Sequence, residues 1–136
     1  MRTIKFRGKS KLNGKWVYGD LVQCMSDDIK IVNSNRPESV SYKIYDIQSD
    51  TIGQFTGLLD KNGMEIYEGD IVKTKGNWGG VVTWNSRGYY YVKDQYYSDD
   101  EEPDLSPLGS LHCYERKQLE IISNIHDNPE ILKNND

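Results

Sequence analysis

Short runs of β-branched and aromatic residues, each closed by a turn rich in Gly, Asn, Asp or Ser, recur along almost the whole chain. That punctuation predicts an all-β chain, because strands need only a few residues before a turn and helices need longer uninterrupted segments. Ile4 to Arg7, Lys15 to Gln23, Ile29 to Val32, Ile44 to Ile47 and Ile52 to Leu59 are the strand candidates of the first half. In the first of them Ile4 and Phe6 share one face and Lys5 and Arg7 the other, the period of two expected of a half-buried strand. Asn13-Gly14 reads as a tight hairpin turn, since both residues tolerate positive φ.

The stretch from Thr56 to Lys73 is the most organised part of the sequence. Asp60-Lys61-Asn62-Gly63 reads as a turn, Met64 to Tyr67 as the return strand, and Glu68-Gly69-Asp70 as a further turn into Ile71 to Lys73. Beyond it, Gly80 to Trp84 and Tyr89 to Lys93 form a hairpin around Asn85 to Gly88, with Tyr89 and Tyr91 facing opposite to Tyr90 and Val92. An acidic loop follows at residues 94–107, and Leu119 to Ile125 is the last strand. Asn128-Pro129 resembles a cap followed by a first helical position, so a short C-terminal helix is expected through Leu132. The 136 residues fit one domain, divided softly into an N-terminal β subdomain (residues 1–59) and a C-terminal barrel (residues 60–136).

Only 36% of the residues are apolar, so the 10 Tyr and 3 Trp must supply much of the burial. Charge is unevenly spread: residues 1–88 carry 13 Lys/Arg and 10 Asp/Glu, net +3, whereas residues 89–136 carry 4 and 11, net −7. The two cysteines, Cys24 and Cys113, lie in no Cys-x-x-Cys pair and are expected to be reduced core residues rather than a disulfide. The N-terminus shows no signal-peptide pattern and no apolar run approaches membrane-spanning length, which together predict a cytoplasmic protein.

Four acids in the central stretch, Asp60, Glu65, Glu68 and Asp70, invite a catalytic or metal reading. Calcium fails on register: with Asp60 as the first loop position, Glu65 stands where an EF-hand needs Gly and Ile71 where it needs Glu. Paired-carboxylate catalysis needs acids desolvated in a cleft, whereas these are expected in solvated surface turns. Gly8-Lys9-Ser10 lacks the earlier glycine and the following helix of a phosphate loop, and the glycine-rich Gly76 to Gly80 joins two strands. His112, Cys113 and His126 are too few for a closed zinc site, and neighbours in extended chain point apart. The sequence therefore predicts no catalytic residues, no metal site and no cofactor, with a hydrolase built on the central carboxylates the weakest of the function classes weighed.

Two binding surfaces remain. Trp78, Trp84, Tyr89 and Tyr91 lie on neighbouring strands, where a sheet face can present aromatic rings to a protein or peptide. Alternatively Arg2, Lys5, Arg7, Lys9, Lys11 and Lys15 all precede the first acid, Asp20, and form a basic strip for nucleic acid, with Trp16 and Tyr18 nearby. The net charge of −4 disfavours long-range steering toward nucleic acid.

Phe6-Arg7-Gly8-Lys9, the run Gly14 to Gly19, the segments Ile52 to Leu58, Asp60 to Gly63 and Ile66 to Val72, and finally Ile121 to Glu130 together resemble the YopX family. These are small proteins of phages and prophages in low-GC Gram-positive bacteria. Residues 23–50 and 94–117 match none of its motifs. The resemblance implies a mostly β protein with a C-terminal SH3-like barrel, and residence in a bacterial host cell. It implies no reaction, so no catalytic role transfers to any residue. The expectation is a non-enzymatic binding or adaptor protein that contacts an unidentified host or phage protein. A nucleic-acid-binding accessory role is the alternative. Exposed strand edges in two small β units also favour pairing between copies, a homo-oligomer.

Overall fold

The computed structural model describes residues 2–26, 28–33, 43–74, 79–93 and 119–134. Ten strands follow one another: β1 (Phe6–Lys9), β2 (Trp16–Gln23), β3 (Ile29–Asn33), β4 (Lys43–Asp46), β5 (Gly53–Leu59), β6 (Glu65–Tyr67), β7 (Asp70–Lys73), β8 (Gly79–Asn85), β9 (Tyr89–Lys93) and β10 (Glu120–Asn124). Every pairing whose register is defined is antiparallel, and the chain is mainly β. It divides into two compact units, Met1–Phe55 and Thr56–Asp136.

In the first unit the strand order is β4-β3-β2-β1-β5. The Asn13-Gly14 turn sets the β1–β2 register: Gly14 takes φ of 70° and Lys15 N donates to Asn13 Oδ1 at 3.0 Å. That register places Phe6 opposite Gly19 and Gly8 opposite Val17, on the face that packs with Ile31 and Ile47. Full burial of Ile31 and Ile47 is worth roughly 1.5–3 kcal/mol each. Ile47 also closes the sheet, donating its N–H to Ile29 O at 3.1 Å while bridging Ser10 beyond the end of β1. Gly8 is required by this packing, because a Cβ there would lie 2.4 Å from Ile47 Cγ2.

β1 begins two residues later than the sequence suggests. Ile4 is largely exposed, and the strand instead runs to Lys9, which pairs with Trp16. The opposite face is not simply solvated either: Arg7 is buried, with its guanidinium 4.6 Å from the Trp16 ring. A long cationic side chain can bury its stem and lay its planar head on an indole, and the hairpin register delivers that neighbour.

In the second unit, β5 leads through the Asp60–Gly63 turn into β6, and a four-stranded sheet has the order β10-β7-β8-β9. Its core holds Ile66, Val72, Val82, Tyr90, Val92 and Leu119. Among the described residues this sheet is open-ended; β10 and β9 are its outer strands, and they do not by themselves define an SH3-like barrel. The C-terminal segment Pro129–Asn134 is a 3₁₀ turn, tighter than the helix expected, with Ile131 N donating to Asn128 O at 3.3 Å. Among the described residues no helix is long and apolar enough to cross a membrane.

Candidate functional site

Two of the four central acids, Asp60 and Asp70, prove to be internal fasteners. Asp60 is 1% exposed, which overturns the expectation of a carboxylate in water. Its Oδ1 accepts the N–H groups of Asn62 at 2.8 Å and Met64 at 2.9 Å, closing the turn that Gly63 completes at φ of 81°. Its Oδ2 accepts Ile121 N at 3.1 Å, from a residue 61 positions along the chain. Lys61 N adds a second tie to the same region, donating to Leu119 O at 2.9 Å. A buried carboxylate is tolerable here because three backbone donors replace its water.

Asp70 is equally buried, and its Oδ2 accepts Tyr67 N at 2.7 Å across the Gly69 turn. Gly69, at φ of 93°, donates to Val82 O and accepts from Ile125 N, so this turn is held from two sides. Glu65 accepts the Tyr67 hydroxyl at 3.3 Å. Glu68 is half-buried, and burial raises its carboxyl above the ordinary range. Among the described residues no group of three or more His, Cys, Asp or Glu side chains is placed to hold a metal ion.

The same device recurs at two other strand ends. Buried Asn85 accepts Arg87 N at 2.8 Å through Oδ1, and Asn124 Oδ1 accepts His126 N at 3.0 Å and Asp127 N at 2.9 Å. His126 thus sits in the turn that leads to the C-terminal segment, with its backbone engaged by Asn124. His112 and Cys113 lie outside the described residues.

The aromatic residues singled out in the sequence do not share one face. Cross-strand pairing sets Trp84 opposite Tyr90, with ring centroids 4.8 Å apart in an edge-on contact, and Trp84 remains 48% exposed. Tyr89 and Tyr91 alternate to the other face, where Tyr91 is fully buried and Tyr89 half-buried. Of the set, Trp84 alone offers a large exposed ring among the described residues; Trp78, like the acidic loop at 94–107, lies outside them.

The basic strip is likewise divided. Arg2, Lys11 and Lys15 are exposed, whereas Arg7 is internal and Lys5 and Lys9 are half-buried. Lys5 lies 5.6 Å from the Phe55 ring centroid and Lys9 lies 5.4 Å from that of Trp16. These contacts replace a continuous track of solvated cations with a mixed cation–aromatic surface. Cys24 is a free thiol but exposed just beyond the end of β2, not the core residue expected. Exposed ion pairs complete the electrostatics. Lys30 pairs with Asp46 on the neighbouring strand, raising the lysine and lowering the carboxyl from their ordinary ranges. Glu120 bonds to Lys61 at 3.2 Å and lies 3.6 Å from Lys73; these lysines, Lys61 foremost, hold its carboxyl below the usual range.

Two antiparallel units, locked by Asp- and Asn-centred turns, define a mainly β protein whose central motif is a structural latch. The chain belongs to the YopX family: the model of the YopX protein matches residues 5–133, nearly its whole length. A crystal structure of protein EF1440 from Enterococcus faecalis is similar over 97% of this chain and 99% of that one, with 26% identity and a TM-score of 0.49. Among curated proteins none matches.

Proposed function

We propose that the protein is a non-enzymatic binding or adaptor protein of a phage or prophage, acting in the bacterial cytoplasm by surface contact with a host or phage protein. The observation that carries this reading is the Trp84 ring, half exposed on β8 yet braced edge-on by Tyr90. A large ring held rigid before contact loses little entropy on binding, which is why aromatic anchors dominate interface energetics. The burial of Asp60 and Asp70 on backbone donors agrees with it, since these carboxylates are committed to turns.

Cross-linked affinity capture from infected cells, run in parallel with the wild-type chain and Trp84→Ala, tests the reading. A stoichiometric protein partner should be recovered with the wild type and lost with the variant by about thirtyfold, the effect of removing an anchor worth roughly 2 kcal/mol. Recovery of no specific protein, or equal recovery with both chains, would sink it. The variant itself should fold, because its edge contact with Tyr90 contributes only about 0.5–1.5 kcal/mol.

A further inference from the structure

Register sorts the side chains of β1, β2 and β3 between two faces. Phe6, Val17 and Ile31 go to the core, whereas Lys9, Trp16, Tyr18, Asp20 and Val32 share the outer face, with Lys9 opposite Trp16 and Asp20 opposite Val32. Tyr18 stands at the centre of that outer face, 41% exposed, two residues from Trp16 in one direction and two from Asp20 in the other. Alternate residues of a strand lie about 6.8 Å apart, so Lys9, beside Trp16, and Asp20 fall at similar distances from Tyr18 on opposite sides of it.

These two charges are too far apart to pair within one chain, since about 14 Å of strand separates their rows. Lys9 lies 5.4 Å from the Trp16 centroid instead. Asp20 is exposed among Tyr18, Val22 and Val32, and among the described residues no cation pairs with it. A contact between identical surfaces needs such an arrangement, because a two-fold axis lays each side of the patch onto the other. With two copies face to face and β2 antiparallel over its own copy about an axis at Tyr18, Lys9 meets the partner's Asp20, Trp16 meets the partner's Val32, and the Tyr18 rings meet on the axis. Strands of packed sheets are aligned to within about 30° in such contacts. A nucleic acid or an anionic lipid surface would be repelled by Asp20, whereas a second copy brings a cation to the place where the patch lacks one.

We propose that the outer face of β1, β2 and β3 is a self-association surface through which two copies of this chain form a two-fold dimer, centred on Tyr18 and flanked by reciprocal Lys9–Asp20 pairs. Three strands about 4.8 Å apart and three rows about 6.8 Å apart make a small patch, so the dimer belongs to the weak, transient class. It uses residues of the first unit alone, and the Trp84 surface has no part in it.

Sedimentation equilibrium of the purified full-length chain, from about 5 to 500 µM at low salt, tests it. The wild type should pass from monomer to dimer within that range. Asp20→Lys and Lys9→Glu should each weaken the dimer about tenfold or more, by setting like charges opposite one another. Mixed in equal amounts, the two variants should form a heterodimer of near wild-type strength, because each presents the sign that the other needs. Tyr18→Ser should weaken the dimer about tenfold, as the loss of a central aromatic does. Circular dichroism verifies that each variant keeps its fold. If half-buried Lys9 does not tolerate Glu, Asp20→Lys and Tyr18→Ser, both at exposed positions, carry the test. A chain monomeric over the whole range overturns the proposal, as does a dimer unmoved by Asp20→Lys and Tyr18→Ser, or a mixture of folded charge variants no tighter than either alone.

Discussion

Replacing Asp60 by Asn removes a charge and exchanges one acceptor for an NH₂ group while conserving shape. In the native chain Oδ1 takes two backbone donors and Oδ2 takes the third, Ile121 N, at 3.1 Å. The asparagine oxygen can serve one of these sides only, so its NH₂ must face at least one backbone N–H at a site that is 1% exposed. One charge-assisted bond is lost and a buried donor is orphaned, a cost of roughly 2–4 kcal/mol. Asp60→Ala, which orphans three donors, should cost roughly 3–6 kcal/mol, a large share of the 5–15 kcal/mol that typically holds a domain together. Urea unfolding followed by tryptophan fluorescence reads this directly. At a slope of roughly 1–3 kcal/mol per molar, the Asp60→Asn midpoint should fall by about 1 M or more. Hydrogen exchange should accelerate at Asn62, Met64 and Ile121, the three amides that the carboxylate holds. A midpoint within about 0.2 M of wild type, with those amides still protected, would refute the latch.

Gly8→Ala should destabilise the first unit by about 1–3 kcal/mol, because the new Cβ would fall 2.4 Å from Ile47 Cγ2. A double-mutant cycle with Ile47→Ala checks the cause, since removing that methyl should relieve part of the Gly8→Ala penalty. Glu68→Gln should stabilise the protein near neutral pH. Burial raises the folded-state pKa of Glu68 above its unfolded value, so the folded chain favours the protonated acid. Its contribution is present below the unfolded pKa and lost as pH rises through the folded one. Thermal melts of both chains between pH 3 and pH 8 should therefore converge at the acid end and separate toward neutrality. A gap that widens on acidification would contradict that sign.

Most strands were legible because β-branched and aromatic runs alternate with residues that accept turn geometry. Gly14, Gly63, Gly69 and Gly88 all take positive φ at turns the sequence marks. The ends of β1 were less legible, since alternation alone cannot tell whether Ile4 or Lys9 has a partner strand. Register decides that: a two-residue Asn13-Gly14 turn would set Lys9 opposite Tyr18, whereas the longer loop observed, closed by Ser10 N donating to Lys15 O, sets Lys9 opposite Trp16 and Arg7 opposite Tyr18. That shift of two residues is what brings the Arg7 guanidinium beside Trp16 and takes it out of the basic strip. The burial of Asp60 was beyond local reasoning: Asp-x-Asn-Gly looks like a surface turn until Ile121, far along the chain, supplies its third donor. Trp84 and Tyr91 separated for a related reason, since the pairing of Trp84 with Tyr90 fixes which side of the sheet each occupies.

Whether the central carboxylates are latch or reaction centre is tested most directly by calorimetric titration with Mg²⁺, Ca²⁺, Mn²⁺ and Zn²⁺, combined with carboxyl-carbon NMR of Asp60, Glu65, Glu68 and Asp70. The latch predicts no stoichiometric uptake at these groups and unmoved resonances for Asp60 and Asp70. Saturable binding of one cation that shifts either of those two signals would contradict it.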